Sequence, residues 1–121
     1  MITQTTNTKL IQDVRMESCT FVNNKTSVTW VVGGYLLMTD STFDGGTVLD
    51  GGVFRINVSG IVILRDTTIK NLVATNQGGA IFANGNAAVI TLTNVTFDGN
   101  SSNSEGGAIF AESHPQFIIN N

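Results

Sequence analysis

Apolar and polar residues alternate along much of this chain, and the alternation slips by one place at recurring points. Ile90 and Leu92 share one parity and Val95 and Phe97 the other, with the slip at Asn94. Val62 and Leu64 are followed in the same way by Thr67 and Ile69, with the slip at Asp66. Period-two alternation marks a strand with one buried face. A corner at each slip returns both pairs to a single interior, so the pattern predicts two short strands meeting at a polar bend.

The same phrase recurs. Phe21, Phe43, Ile69 and Phe97 act as anchors at steps of 22, 26 and 28 residues, each preceded by Thr: Thr20, Thr42, Thr68 and Thr96. Three places before each anchor stand Ser18, Asp40, Asp66 and Asn94, all side chains that support turns. Five places before are Met16, Met38, Leu64 and Leu92, and seven before are Val14, Leu36, Val62 and Ile90. Eight or nine residues after their anchors come the pairs Gly51-Gly52, Gly78-Gly79 and Gly106-Gly107, and the last two open the words "GGAIF", each expected to be a strand after a second corner. Residue types place Phe54, Ile81 and Ile109 inward and Arg55 outward. Gly33-Gly34 breaks the spacing and is expected to be a corner after "VTWVV" instead. No segment has the period of a helix of ten residues or more.

A period of 20–50 residues marks stacked supersecondary units. Coils of 22–28 residues built from three short strands and no helix predict an all-β fold, a right-handed parallel β-helix of about four coils. Residues 1–121 then form one solenoid segment. Each coil lies roughly 4.8 Å above the last, so equivalent residues form columns. Cys19, Ser41, Thr67 and Val95 make a small inward column, which predicts that the Cys19 thiol is a packing group and not a nucleophile. Placing Phe117 over Ile90 puts Asn121 over Asn94, so the sequence stops at the first corner of a further coil. The bare ends predict a fragment of a longer β-helix or a subunit that stacks into a fibre.

Composition narrows the function classes. Charged residues are 12% of the chain and the net charge is −3, with sixteen Thr, thirteen Asn and thirteen Gly. That balance has no basic footprint for nucleic acid. No run reaches the ~18 apolar residues of a membrane helix. One Cys permits no internal disulfide. "MITQTTNTKL" carries no secretion signal, so such a signal would lie outside this sequence.

The paired words "GGAI" and "FxxN" resemble the repeats of chlamydial polymorphic outer membrane proteins and of related microbial surface proteins. Phe97-Asp-Gly-Asn100 with Gly106-Gly-Ala-Ile109 carries both words. Phe21-Val-Asn-Asn24 carries the second and Gly78-Gly-Ala-Ile81 the first, while "IKNL" at Ile69 and "FDGG" at Phe43 depart from the pattern. The likeness spans roughly residues 14–119. It implies a secreted or surface-borne β-helix acting as an adhesin, at the cell surface or outside the cell.

Several constellations bear on chemistry. Asp40 and Asp66 share a column, and stacking brings their carboxyls to about the ~5 Å separation of retaining glycosidases. The column reads Ser-Asp-Asp-Asn, however, with no Lys or His beside it, so a turn role is favoured over catalysis or cation binding. The Thr ladder suits an exposed strand and only loosely an ice-binding face, because the neighbouring column of Glu17, Thr39, Arg65 and Thr93 is mixed. Sequons stand at Asn24, Asn57, Asn94 and Asn100, of which Asn24 and Asn100 are the better glycan candidates. His114 has no partners for a metal site or triad. Trp30 and Tyr35 offer a carbohydrate platform, but core or edge packing in the atypical first coil is favoured. The reading is a non-catalytic structural or adhesive module without cofactor. Its partners are other copies of itself, flanking coils, or a host-cell or carbohydrate surface. The alternatives are a polysaccharide-binding or polysaccharide-cleaving β-helix of the pectin-lyase-like group, and a Thr-rich ice-binding solenoid.

Overall fold

The computed structural model describes residues 13–25, 29–32, 34–50, 53–57 and 59–120. Every regular element among them is a strand. In chain order these are β1 (Asp13–Glu17), β2 (Thr20–Asn24), β3 (Thr29–Val32), β4 (Tyr35–Thr39), β5 (Thr42–Val48) and β6 (Phe54–Asn57). They continue with β7 (Ile61–Ala74), β8 (Ile81–Asn84), β9 (Val89–Asp98), β10 (Ser101–Ser102), β11 (Ile109–Glu112) and β12 (Gln116–Asn120).

Among the described residues all pairings are parallel, and each strand pairs with its equivalent one repeat away. One ladder runs β1, β4, the first half of β7, the first half of β9, then β12. A second runs β2, β5, the second half of β7 and the end of β9, with β10 joined to the tail of β7. A third forms a separate sheet in the order β3, β6, β8, β11. A chain that meets itself only through parallel ladders at a fixed repeat is a β-solenoid, here a parallel β-helix.

The register follows the sequence columns. Phe21 pairs with Phe43, Phe43 with Ile69, and Ile69 with Phe97. Leu36, Val62, Ile90 and Phe117 form one inward column, and Met38, Leu64, Leu92 and Ile119 another. The fold is selected because only this register puts every second side chain of three ladders into one core. A slip of a single residue would send each set outward. Phe43, Ile69, Leu64 and Ile81 are fully enclosed, and each such side chain contributes about 1.5–3 kcal/mol through burial. Phe21 stacks on Phe43 with ring centroids 4.6 Å apart, and Phe54 meets Phe43 edge-on at 5.8 Å.

The strands differ from the sequence reading in two places. The strand expected over "GGAIF" begins only at Ile81 and at Ile109, and the glycines lie in the bend before it. The strand that follows the corner does not run straight either. In β7 the parity of burial slips at Asp66 and again at Asn71. The second slip lies inside "IKNL", so each coil turns twice before it reaches the Gly-Gly bend.

Candidate functional site

The first corner is a column of left-handed residues. Ser18, Asp40, Asp66 and Asn94 have φ of 54°, 49°, 48° and 51°. Short polar side chains tolerate this conformation better than bulky ones do. The next residue closes the bend: Ser41 Oγ donates to the carbonyl of Thr39, and Thr67 Oγ1 to that of Arg65, each at 2.8 Å. Cys19 Sγ reaches the Glu17 carbonyl at 3.5 Å, while the Cys19 N–H donates to Ser41 Oγ at 3.2 Å. The thiol is thus half-buried against the core in a structural station.

A second left-handed column lies two residues past the anchors, at Asn23, Gly45, Asn71 and Gly99, with φ of 52°, 75°, 57° and 62°. Asn and Gly alternate here for a spatial reason. A Cβ on Gly45 would stand 2.8 Å from Asn23 Oδ1, and one on Gly99 would stand 3.0 Å from Asn71 Oδ1. Each Asn side chain therefore lies over a glycine of the next coil. The bend at Asn71 has a further support. Asn100 Oδ1 accepts the Leu72 N–H at 3.1 Å, and Asn100 Nδ2 donates to the Ile69 carbonyl at 2.8 Å. The final Asn of "FDGN" thus bridges the backbone groups on either side of its neighbour's kink. In "IKNL" the equivalent Leu72 fills the core instead.

The Gly-Gly pair divides its work. Gly78 and Gly106 take φ of 62° and 64°, and a Cβ on either would run into the carbonyl oxygen three residues on, of Ile81 or Ile109. Gly79 needs no unusual φ. Its missing Cβ makes room for the Gly107 and Ser101 carbonyls of the next coil, so the space admits backbone and not a bulky side chain. The preceding residues form a polar column: Gln77 Nε2 donates to Glu105 Oε2 at 3.1 Å. Asp50, largely buried, accepts from the Gln77 N–H at 3.3 Å and from Asn76 Nδ2 at 2.8 Å. Gly51 and Gly52 lie outside the described residues, as does Gly33. Gly34 sits between β3 and β4, and its carbonyl accepts the Ile61 N–H at 2.7 Å.

The remaining candidates have clear positions. Asp66 does not face Asp40 as a free carboxylate, because its Oδ1 accepts from Asn94 Nδ2 at 2.6 Å. This contact also engages the side chain of the Asn94 sequon. The Asn100 amide nitrogen is committed to Ile69. Asn24 and Asn57 lie in β2 and β6, backbone-paired with Gly46 and Asn84. The Thr20, Thr42, Thr68 and Thr96 column is in register and faces outward. One place outside it, Asp44 meets Lys70 Nζ at 3.3 Å and accepts from Asn71 Nδ2 at 2.8 Å. The Asn71 amide holds the Asp44 carboxyl below its ordinary value, with burial opposing it and Lys70 adding to the lowering. His114 is exposed at φ 58°, next to Pro115. Among the described residues, no group of three or more His, Cys, Asp or Glu converges.

In the third ladder Arg55, Phe82 and Phe110 are in register, and the backbone of Trp30 pairs with that of Arg55. Arg55 lies 5.3 Å from the Phe82 ring centroid and 3.5 Å from Asp50, and Phe82 stacks on Phe110 at 5.5 Å. Another feature escapes a reading that follows inward positions alone. On the outer face of the first ladder, Tyr35 and Leu37 neighbour Ile61 and Ile63, followed by Val89 and Ile118. The signal was in "YLLM" and "IVIL", runs that are apolar at every position and so mark a parallel strand with both faces apolar.

Among the described residues, no helix is long and apolar enough to cross a membrane. Neither a curated protein nor a solved structure matches the chain. Residues 94–112 do match a known repeat family. They run from the corner Asn94 through the anchor Phe97 and the Gly106-Gly107 bend to the end of β11, and their match is to the Chlamydia polymorphic membrane protein (Chlamydia_PMP) repeat.

Proposed function

We propose that this chain is a non-catalytic module of a cell-surface β-helix, structural or adhesive in role. The observation that carries the reading is the use made of the chain's polar side chains. Ser41, Thr67, Asn94 and Asn100 hold bends within a coil or between neighbouring coils, which builds a scaffold and leaves its outer faces for partners. The repeat match at residues 94–112 supports a surface location. The module presents flat ladders to a host-cell or carbohydrate surface. The sequons at Asn24 and Asn57 are its candidate glycan sites. The test is binding of labelled chain to cultured cells and to glycan-coated plates, beside incubation with uronate polysaccharides. Saturable binding without product release supports the proposal. Release of oligosaccharides overturns it in favour of a pectin-lyase-like enzyme.

Axial growth is the second part of the reading. Val95, Phe97, Ile109 and Phe117 are only half-buried and Ile119 is 63% exposed, whereas Ile69, Ile81, Ile90 and Leu92 one repeat below are enclosed. A further coil would cover them by the same parallel ladder, whether supplied by this chain or by another copy. Electron microscopy of the purified chain tests the second source, which predicts unbranched fibres with a ~4.8 Å repeat along the axis. Discrete particles at every concentration would rule it out.

A further inference from the structure

The outer face of the first ladder points to an isologous dimer, a surface separate from the axial edge. The face spans five paired strands. Its outward residues are Asp13, Arg15 and Glu17 on β1; Tyr35, Leu37 and Thr39 on β4; and Ile61, Ile63 and Arg65 on β7. Beyond these lie Val89, Thr91 and Thr93 on β9, then Gln116, Ile118 and Asn120 on β12. Ile61 and Ile118 are 40% and 39% exposed. The apolar residues of this face lie together, rimmed by charge and amide.

We propose that the occupant is a second copy of this chain, laid face to face with its coils stacked in the opposite direction. Two sheet faces pack flat on one another about 10 Å apart, so a like face is the best fit for this one. A two-fold axis along the strands, between β4 and β7, sets Tyr35 and Leu37 of each copy against Ile61 and Ile63 of the other. Charge fits the same arrangement. Glu17, Thr39 and Arg65 occupy one column on successive strands. Reversal of the stack brings Arg65 of one copy beside Thr39 of the other, one strand from its Glu17. The opposite choice, with strands reversed and stacks aligned, sets Arg15 against Arg15. Five strands ~4.8 Å apart and five residues long give a face of about 300 Å². That is well below the ~800 Å² per partner of a standard interface, so the dimer is weak and concentration-dependent.

Sedimentation equilibrium of the full chain over the micromolar to millimolar range is the test. A monomer–dimer equilibrium is expected, with Ile63→Glu weakening it at least ~10-fold. Glu17→Arg and Arg65→Glu are exposed changes whose folding is checked by circular dichroism. Each alone should weaken the dimer, and the two together should restore it. A chain that stays monomeric throughout overturns the proposal, as does open-ended assembly insensitive to Ile63→Glu. So does a double charge reversal no better than either single one. None of these results bears on the surface-module reading, which rests on cell and glycan binding.

Discussion

The side-chain amide of Asn100 brackets the backbone kink of the coil beneath it, accepting the N–H of Leu72 at 3.1 Å while donating to the carbonyl of Ile69 at 2.8 Å. The two backbone groups flank the left-handed Asn71, and Asn100 satisfies them in the gap where pairing with the next coil stops at Lys70 and resumes at Val73.

Asn100→Ala is therefore expected to destabilise the chain by about 2–4 kcal/mol, the cost of two unsatisfied, partly buried backbone groups. Asn103→Ala, on the exposed loop nearby, should stay within about 0.5 kcal/mol. Urea melts compare the two. Hydrogen exchange at the Leu72 amide should accelerate only in the first.

The Gly-Gly bend makes an asymmetric prediction. A Cβ at Gly79 would collide with the backbone carbonyls of Gly107 and Ser101, whereas one at Gly107 finds its nearest neighbour, the Asn100 carbonyl oxygen, at 3.4 Å. Gly79→Ala should cost at least ~3 kcal/mol because backbone cannot yield as a side chain can. Gly107→Ala should cost under about 1 kcal/mol. Equal losses of melting temperature would refute the stacking of the two bends.

Anchors should differ by depth. Phe43 is fully enclosed, and Phe97 in the same column is half-buried. Phe43→Ala should cost about 3–5 kcal/mol. Phe97→Ala, which exposes less new cavity, should cost about 1–2 kcal/mol. Addition of a coil above Phe97 would bring the two together.

Asp44 supplies the pH prediction. Its carboxyl is held below the ordinary 3.8, first by the Asn71 amide and then by Lys70. A depressed folded-state pKa means that the stabilisation is present above the unfolded value and is lost as pH falls through the folded one. Carboxyl NMR titration should therefore place the Asp44 midpoint below 3.8. Asn71→Gly, which keeps the left-handed φ and removes the amide, should move it back up. An unchanged midpoint would show that the Asn71 contact does not form in solution.

Much of the architecture was legible because a β-helix repeats one environment. The Phe21, Phe43, Ile69 and Phe97 spacing and the parity slips at Asp66 and Asn94 contain the register, since period two leaves only one way to bury both sets. The sequence did not disclose what depends on the coil above or below. "IKNL" looks like a damaged "FxxN" until Asn71 is seen as the bend and Leu72 as core, with Asn100 reaching down from the next repeat. The absent Cβ of Gly79 leaves space for the backbone carbonyls of Gly107 and Ser101 in the next coil, which the letters alone do not reveal. The carboxylate pair of Asp40 and Asp66 was suggested by column arithmetic, and Asn94 engages one member of it. Tyr35, Leu37, Ile61 and Ile63 were visible as apolar letters, yet only the sheet shows that they share one outer face. Alternation is a local property and fixes which residues turn inward. Contacts between coils are set by the rise from one repeat to the next, and only the tertiary structure decides those.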